Sequence, residues 1–176
     1  MSMSIYTMPD MPENEAERGR AVVRSGALTA INSAALCGIV AEARRQLGTA
    51  MALVTIIYQD SAYVVAASGF MPGIYRRSTS FCGHAILTPA EPFVIPDAST
   101  DERFAGNPLV EGGDGVRFYA AVALTDEEAL PIGTLCVLDP CPRPKLKADE
   151  TRCLRLLSAA AMEYLRTAEG SARTPR

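Results

Sequence analysis

The sequence gathers its reactive side chains in one short stretch, residues 80–84 (SFCGH). Ser80 stands where a helix N-cap belongs, because its hydroxyl can accept a backbone N–H two or three residues further on. Cys82 then falls in the first turn of the predicted helix, where the helix dipole favours a thiolate, and Arg76 and Arg77 would add positive field. The stretch predicts a redox-sensing thiol or an anion site of free N–H groups. The alternative is that Cys82 is a small apolar residue packed in the core, as free cysteines usually are.

His84 is the only histidine of the chain. Such a residue could ligate a haem iron, donate a hydrogen bond to a ligand, or titrate near neutral pH. The alternative is a histidine that is hydrogen-bonded across the wall of a pocket. Cys82 and His84 are too few for a tetrahedral zinc site, and no second Cys/His pair has suitable spacing. No metal is predicted, and the sequence leaves any cofactor unknown.

Further candidate binding residues follow at Asp97, Phe104, Arg117 and Tyr119. Asp97 lies on a loop after a predicted short strand, where binding residues concentrate, although it could instead cap the following turn. Phe104 and Tyr119 offer aromatic walls for a pocket. Arg117 shares a strand face with Tyr119 and could meet an anionic ligand, whereas a surface salt bridge is the alternative.

The elements that position these residues follow from hydrophobic periodicity. One helix is predicted where apolar residues recur at three- and four-residue steps, with Thr29 or Asn32 as its N-cap and Gly48 at its end. A final helix is predicted over 148–167. A short helix is expected over 81–87, after a loop over 69–79. Strands are predicted at 51–58, 62–68, 93–95, 116–124 and 131–139. This order predicts an α+β fold with helices flanking an antiparallel sheet.

Composition narrows the classes of function. The chain has 176 residues, a net charge of −3 and 48% hydrophobic residues, which suits one domain with a real core. The mildly acidic balance argues against a nucleic-acid partner, and no apolar run is long enough to span a membrane. Five cysteines without framework spacing fit a reducing compartment, so a cytoplasmic protein is expected.

Two longer segments resemble a known family. Residues 80–87 (SFCGHAIL) lead to 93–110 (FVIPDASTDERFAGNPLV), and residues 115–120 (GVRFYA) precede 132–139 (IGTLCVLD). Together they resemble the GAF sensory domains that precede bacterial histidine kinases and diguanylate cyclases. The resemblance covers 13–167 and leaves flexible tails at 1–12 and 168–176. It implies a central antiparallel sheet with a small-molecule pocket on one side and the first and last helices together on the other.

The resemblance implies a non-catalytic sensor. An unknown small molecule would shift the populations of two arrangements, and the terminal helices would pass the shift to a partner protein. These helices often pair between subunits in the family, so a homodimer is expected. One histidine provides no independent nucleophile–base pair, which argues against an enzyme. A ligand-free dimerisation module and a redox sensor through Cys82 are the alternatives.

Three other activities of GAF-fold proteins fit this sequence less well. The free-methionine sulfoxide reductases need a cysteine where Leu87 stands. Pigment-binding members attach a bilin to a cysteine directly followed by histidine, whereas Gly83 separates Cys82 from His84 here. The signature of cyclic-nucleotide-binding members is not present in its usual order, since Asp101 and Glu102 come before Phe104.

Overall fold

A single antiparallel sheet forms the centre of the protein. The computed structural model describes residues 5–172, with side chains up to residue 168. The sheet has six strands in the order β3-β2-β1-β6-β5-β4. Their bounds are β1 Met51–Tyr58, β2 Ser61–Ser68, β3 Gly73–Arg76, β4 Phe93–Ile95, β5 Phe118–Thr125 and β6 Pro131–Asp139. Every neighbouring pair is antiparallel, as the sequence predicts.

Helices cover both sides of the sheet, and the two sides differ. The helices are α1 Glu15–Arg24, α2 Ala34–Leu47, α3 Phe81–Ala85, α4 Pro108–Glu111 and α5 Ala148–Ala172. The apolar stripes of α1, α2 and α5 form one core with one face of the sheet. The short α3 and α4 pack with the loops on the other face around a second core. The α+β architecture, with the first and last helices on one side, is therefore confirmed.

The central pair of strands explains how one sheet serves two cores. Alternation along β1 sends Ala52 and Val54 to the first core and Leu53 to the second. β1 and β6 approach so closely at Gly133 that a Cβ there would lie 2.0 Å from the carbonyl oxygen of Thr55. Glycine is therefore required at the middle of the sheet. Thr55 pairs directly with Thr134 across this junction.

Several local predictions need correction. The cap of α2 is Ser33, whose hydroxyl accepts from Leu36 N, and neither Thr29 nor Asn32 has that position. The loop predicted over 69–79 contains the edge strand β3, which pairs with β2. The sequence also gave no sign of α4, which Asn107 caps through its side chain with a proline following.

The segment before α1 lies against the second core. Thr7 N donates to the carbonyl of Arg103, and Pro9 lies close to Gly83 in α3. The predicted tails at 1–12 and 168–176 lie partly outside the described residues, at 1–4 and 173–176, whereas α5 continues to Ala172. Among residues 5–172, no helix is both long and apolar enough to cross a membrane.

Candidate functional site

A cavity of about 480 Å³ lies between the sheet and the short elements of the second core. Its floor is formed by strands β1, β2, β5 and β6, and its rim by β3, α4 and the turn before α3. The lining is mainly apolar and aromatic with a few polar groups, as is typical of small-molecule sites. The lining residues are Leu53, Thr55, Ala62, Val64, Phe70, Ile74, Tyr75, Arg76, Thr79, Ser80, Phe81, Cys82, Pro108, Leu109, Val116, Tyr119 and Leu138.

Three of the seven predicted site residues meet in this wall: Ser80, Cys82 and Tyr119. Ser80 Oγ accepts from Gly83 N at 3.2 Å, so it is the N-cap that the sequence predicts. The Tyr119 hydroxyl donates to Cys82 Sγ at 3.2 Å. Cys82 Sγ also lies 4.0 Å from the sulfur of Cys136 on β6. A buried cluster of two thiols and a phenol therefore lies at one side of the cavity, and Cys82 and Tyr119 are its members in the lining.

The surroundings shift the pKa values of the two thiols in opposite directions. Contact with the Cys136 side chain lowers the pKa of Cys82, burial opposes this, and the hydrogen bond from the Tyr119 hydroxyl lowers it further. Burial raises the pKa of Cys136, and the neighbouring Cys82 raises it again. Cys82 is thus the sulfur that loses its proton first. The cause differs from the predicted helix dipole, because α3 has only five residues and the donors are side chains.

Two threonine hydroxyls at or beside the floor of the cavity have no hydrogen-bond partner among the described residues. Thr55 Oγ1 and Thr134 Oγ1 are buried and make no hydrogen bond of ordinary geometry to any group in the described part of the chain. Burying an unpaired hydroxyl is unfavourable, so such groups are commonly completed by a ligand or a water. Only Thr55 lines the cavity. The Thr55 side chain therefore borders the space of the cavity, whereas Thr134, its cross-strand partner, does not reach the lining.

His84 and Phe104 lie on the other side of α3, away from the cavity lining. His84 Nε2 is 3.0 Å from the carbonyl oxygen of Thr7, and burial lowers the pKa of His84. Its ring packs edge-on against Phe104, whose ring stacks on Phe81 at 4.4 Å. The histidine therefore serves the packing of the N-terminal segment, as in the alternative that placed it in a hydrogen-bonded wall.

Asp97 and Arg117 form hydrogen bonds outside the cavity. Asp97 Oδ1 accepts from Ser99 N and from the Ser99 hydroxyl, so the carboxylate closes its own turn. Arg117 Nη1 donates to the carbonyl of Val110 at 2.8 Å, a contact that neither the anion nor the salt-bridge interpretation anticipated. It ties the end of α4 to the start of β5. Neither residue lines the cavity.

A buried ion cluster joins the rim of the cavity to α1. Arg77 precedes α3, is 3% exposed, and binds Glu15 through Nη1 at 2.6 Å and Nη2 at 3.2 Å. Arg18, completely buried, binds the same carboxylate and the carbonyl of Ile57. Burial raises the pKa of Glu15, but the hydrogen bonds from Arg18 and Arg77 outweigh it and hold the value at about 2. From the sequence alone, Arg77 was expected only to add positive charge near Cys82.

The cavity residues that the sequence analysis missed are chiefly Thr55, Phe70 and Tyr75. The Phe70 and Tyr75 rings pack against each other at 5.4 Å on the β3 side of the cavity. A threonine inside an otherwise apolar strand, as in residues 51–58 (MALVTIIY), was the available signal for Thr55. Among residues 5–172, no group of three or more His, Cys, Asp or Glu side chains could hold a metal ion.

A larger open groove of about 780 Å³ lies on the opposite side of the sheet, between α1, α5 and the β5–β6 turn. Charged side chains line it and form ion pairs across the surface, Arg24 with Asp126 and Arg166 with Glu127. None of the predicted site residues reaches this groove. The smaller cavity is therefore the stronger candidate for a ligand, because it combines an apolar lining with buried polar groups.

Comparisons with known proteins agree with this architecture. The GAF domain family model matches residues 33–165. A cyclic di-GMP phosphodiesterase from Pseudomonas aeruginosa is 33% identical over 159 residues, which cover 90% of this chain and 27% of that protein. The chain therefore spans about a quarter of that relative.

Solved structures show the same fold at low identity. The GAF domain of a phosphoenolpyruvate-protein phosphotransferase from Acinetobacter superimposes with a TM-score of 0.63 at 15% identity, covering 93% of this chain and all of that one. The free methionine-R-sulfoxide reductase of Neisseria meningitidis gives a TM-score of 0.60 at 15% identity, with coverages of 97% and 99%. At this identity the likeness concerns the fold alone.

Proposed function

Because the chain belongs to the GAF domain family, we propose that it is a non-catalytic sensory domain whose signal is a small molecule bound in the 480 Å³ cavity. The single observation that carries this proposal is the Thr55 hydroxyl. It is buried in an apolar lining and has no partner within the described residues. A ligand that hydrogen-bonds there removes the cost of the unpaired group.

The lining also indicates the kind of ligand. Phe70 and Tyr75 contribute aromatic rings to the lining, and the polar groups are few. Arg76 is exposed at the β3 rim and places a positive charge beside the apolar interior. These features suit a flat, largely apolar molecule that carries one anionic group and one hydrogen-bonding group.

The ion cluster supplies a route from the cavity to the terminal helices. Arg76 and Thr79 line the cavity, and Arg77, between them in sequence, holds Glu15 of α1. A ligand that moves this rim therefore moves a charged group bound to α1. Such a shift needs a ligand with different affinities for two arrangements of the rim. The match to part of a phosphodiesterase supports a regulatory position beside a separate catalytic unit.

Within residues 5–172, the cavity lining contains no His, Asp or Glu side chain that could act as a general base beside Cys82. Cys82 is the strongest nucleophile there, but the hydrogen-bond partners of its sulfur in the described residues are Tyr119 and Cys136. His84 lies away from the lining, with its Nε2 at 3.0 Å from the Thr7 carbonyl oxygen. Leu87 stands where the sulfoxide reductases would need a cysteine. An assay of methionine sulfoxide reduction should therefore show no turnover.

The test combines a mass measurement with a matched pair of variants. Native mass spectrometry of the protein purified under reducing conditions should show a defined added mass on each subunit. Anilinonaphthalene sulfonate, an aromatic anion, serves as the probe for the emptied cavity. Leu109→Trp, at the mouth, should weaken probe binding about tenfold, and Leu156→Trp, exposed on α5, should leave it unchanged. Equal binding by both variants contradicts the proposal.

The second candidate is a ligand-free dimerisation module. Val23 on α1 and Leu156 on α5 are large apolar residues that remain exposed on the helical side of the sheet. A homodimer through these helices would cover them. The same native spectrum decides, because a dimer without added mass, with no probe binding in the wild type, favours the module over the sensor.

A further inference from the structure

The two buried sulfurs beside the cavity have no part in the proposed ligand sensing. Cys82 Sγ and Cys136 Sγ are 4.0 Å apart, and one lies on the short α3 while the other lies on the central strand β6. A disulfide needs a separation of about 2.05 Å, so the sulfurs must approach by about 2 Å. α3 is a single turn between irregular segments, whereas β6 is paired on both sides. α3 is therefore the element that moves.

Access to the two sulfurs is unequal. Cys82 lines the 480 Å³ cavity, whereas Cys136 is fully buried and does not reach the lining. A small oxidant that enters the cavity therefore meets Cys82 first. The Tyr119 hydroxyl, which donates to Cys82 Sγ, stabilises a negative sulfur at that position. The pKa directions agree, since Cys82 loses its proton before Cys136.

We propose that Cys82 and Cys136 form a reversible dithiol–disulfide pair, with Cys82 as the thiol that attacks a small hydroperoxide and Cys136 as the resolving thiol. The inference uses the cavity as an entrance but does not depend on the ligand proposed above. It assigns chemistry to Cys136, a fully buried residue of the central strand β6.

The reaction balances in two steps. The Cys82 thiolate attacks one peroxide oxygen, so an S–O bond forms, the O–O bond breaks, and the released alkoxide takes a proton from water. Cys136 Sγ then attacks the sulfur of the Cys82 sulfenic acid, the S–S bond forms, and the S–O bond breaks. The hydroxide that leaves the Cys82 sulfur combines with the proton of Cys136 to form water. Two electrons pass from the thiols to the peroxide, and an external dithiol returns them by exchange.

Closure of the pair would change the cavity wall. The disulfide ties α3 to the middle of the sheet and removes the thiolate that accepts from Tyr119. The Tyr119 hydroxyl then needs another hydrogen-bond acceptor, and it borders the cavity, where a bound molecule can provide one. Oxidation would therefore present a free hydroxyl to whatever occupies the cavity.

Hydrogen peroxide is the probe, and the Cys141→Ser protein is the sample, because Cys141 is exposed and shares a tryptic peptide with Cys136. Trypsin releases Cys82 in residues 78–103 and Cys136 in 118–145, since a proline follows Arg143. After peroxide and alkylation in denaturant, these two peptides should be linked, with a loss of about 2 Da. A dithiol should restore both free thiols.

The variants separate the two sulfurs. Cys136→Ser should stop at a Cys82 sulfenic acid that dimedone traps, and Cys82→Ser should leave Cys136 unreacted. Cys153→Ser, on α5, should form the linked peptides as before. In the wild type, Cys82 should be oxidised at least about tenfold faster than Cys153. If peroxide oxidises Cys153 while Cys82 and Cys136 both still react with the alkylating reagent, the proposal is wrong. This result is obtained without a substitution at Cys82 or Cys136, so it does not depend on whether such a variant folds.

Discussion

The two faces of the sheet are built from the same six strands but use different chemistry. The face under α1, α2 and α5 is filled by aliphatic side chains and alanines from long helices. The face under α3 and α4 contains aromatic rings, two thiols and a threonine around a cavity. The long helices bury continuous stripes, whereas one-turn elements cover their face incompletely. Short covering elements therefore leave an apolar cavity beneath them, whereas the space on the helical side is an open groove lined by charged side chains.

Strand β6 carries both environments on alternate residues. Leu135 faces the helices and is fully buried, and Leu138 faces the cavity. This alternation allows each face to be tested with the same substitution on the same strand. A general loss of folding can therefore be told apart from a loss of stability that is specific to one face.

The largest effect is expected from the two leucines of β6. Leu135→Ala should lower the free energy of unfolding by about 3 kcal/mol, because it opens a cavity in a close-packed core. Leu138→Ala should cost about 1.5 kcal/mol, since its side chain already borders empty space. Urea unfolding of both proteins measures the difference. Equal losses would show that the cavity face is packed as tightly as the helical face.

An intermediate effect is expected where the two faces are joined, at Glu15. Glu15→Gln should cost about 2 kcal/mol, because it leaves the buried Arg18 and Arg77 without their carboxylate. The folded pKa of about 2 is below the ordinary 4.5, so this stabilisation is complete above pH 4.5 and is lost as the pH falls towards 2. The variant should therefore lose less stability over that range.

The control for this prediction is Glu17→Gln, which changes an exposed carboxylate on the same helix. Its unfolding free energy should stay within about 0.5 kcal/mol of the wild type at pH 7. A Glu15→Gln protein with the wild-type slope between pH 4.5 and 2 would show that the ion cluster does not hold α1 to the cavity rim. Probe binding to the same variant then measures whether the rim is disturbed.

Periodicity and turn chemistry predicted most of the fold but little of the cavity. Strands β1, β4 and β6 begin and end where their apolar runs do, and Gly48 ends α2 in the left-handed conformation. β3 escaped prediction because an edge strand of four mostly exposed residues has no apolar alternation. The site could be predicted for Ser80 and Cys82, which one short motif contains, and for Tyr119, an aromatic residue on a predicted strand. The approach of Cys136 to Cys82 depends on strand order, which local patterns do not encode.

The smallest effect concerns the paired threonines, and it tests the sensor most directly. Thr55 and Thr134 are cross-strand partners with unpaired buried hydroxyls, but only Thr55 borders the cavity. Replacing either with valine keeps the shape and removes the unpaired group, so both variants should gain about 0.5–1 kcal/mol in the ligand-free protein. Thr55→Val should also weaken binding of the co-purified molecule or, failing that, of anilinonaphthalene sulfonate, by about fivefold, and Thr134→Val should not. Titrations of both proteins decide, because equal affinities would mean that the hydroxyl at the cavity floor is a packing defect and not a ligand contact.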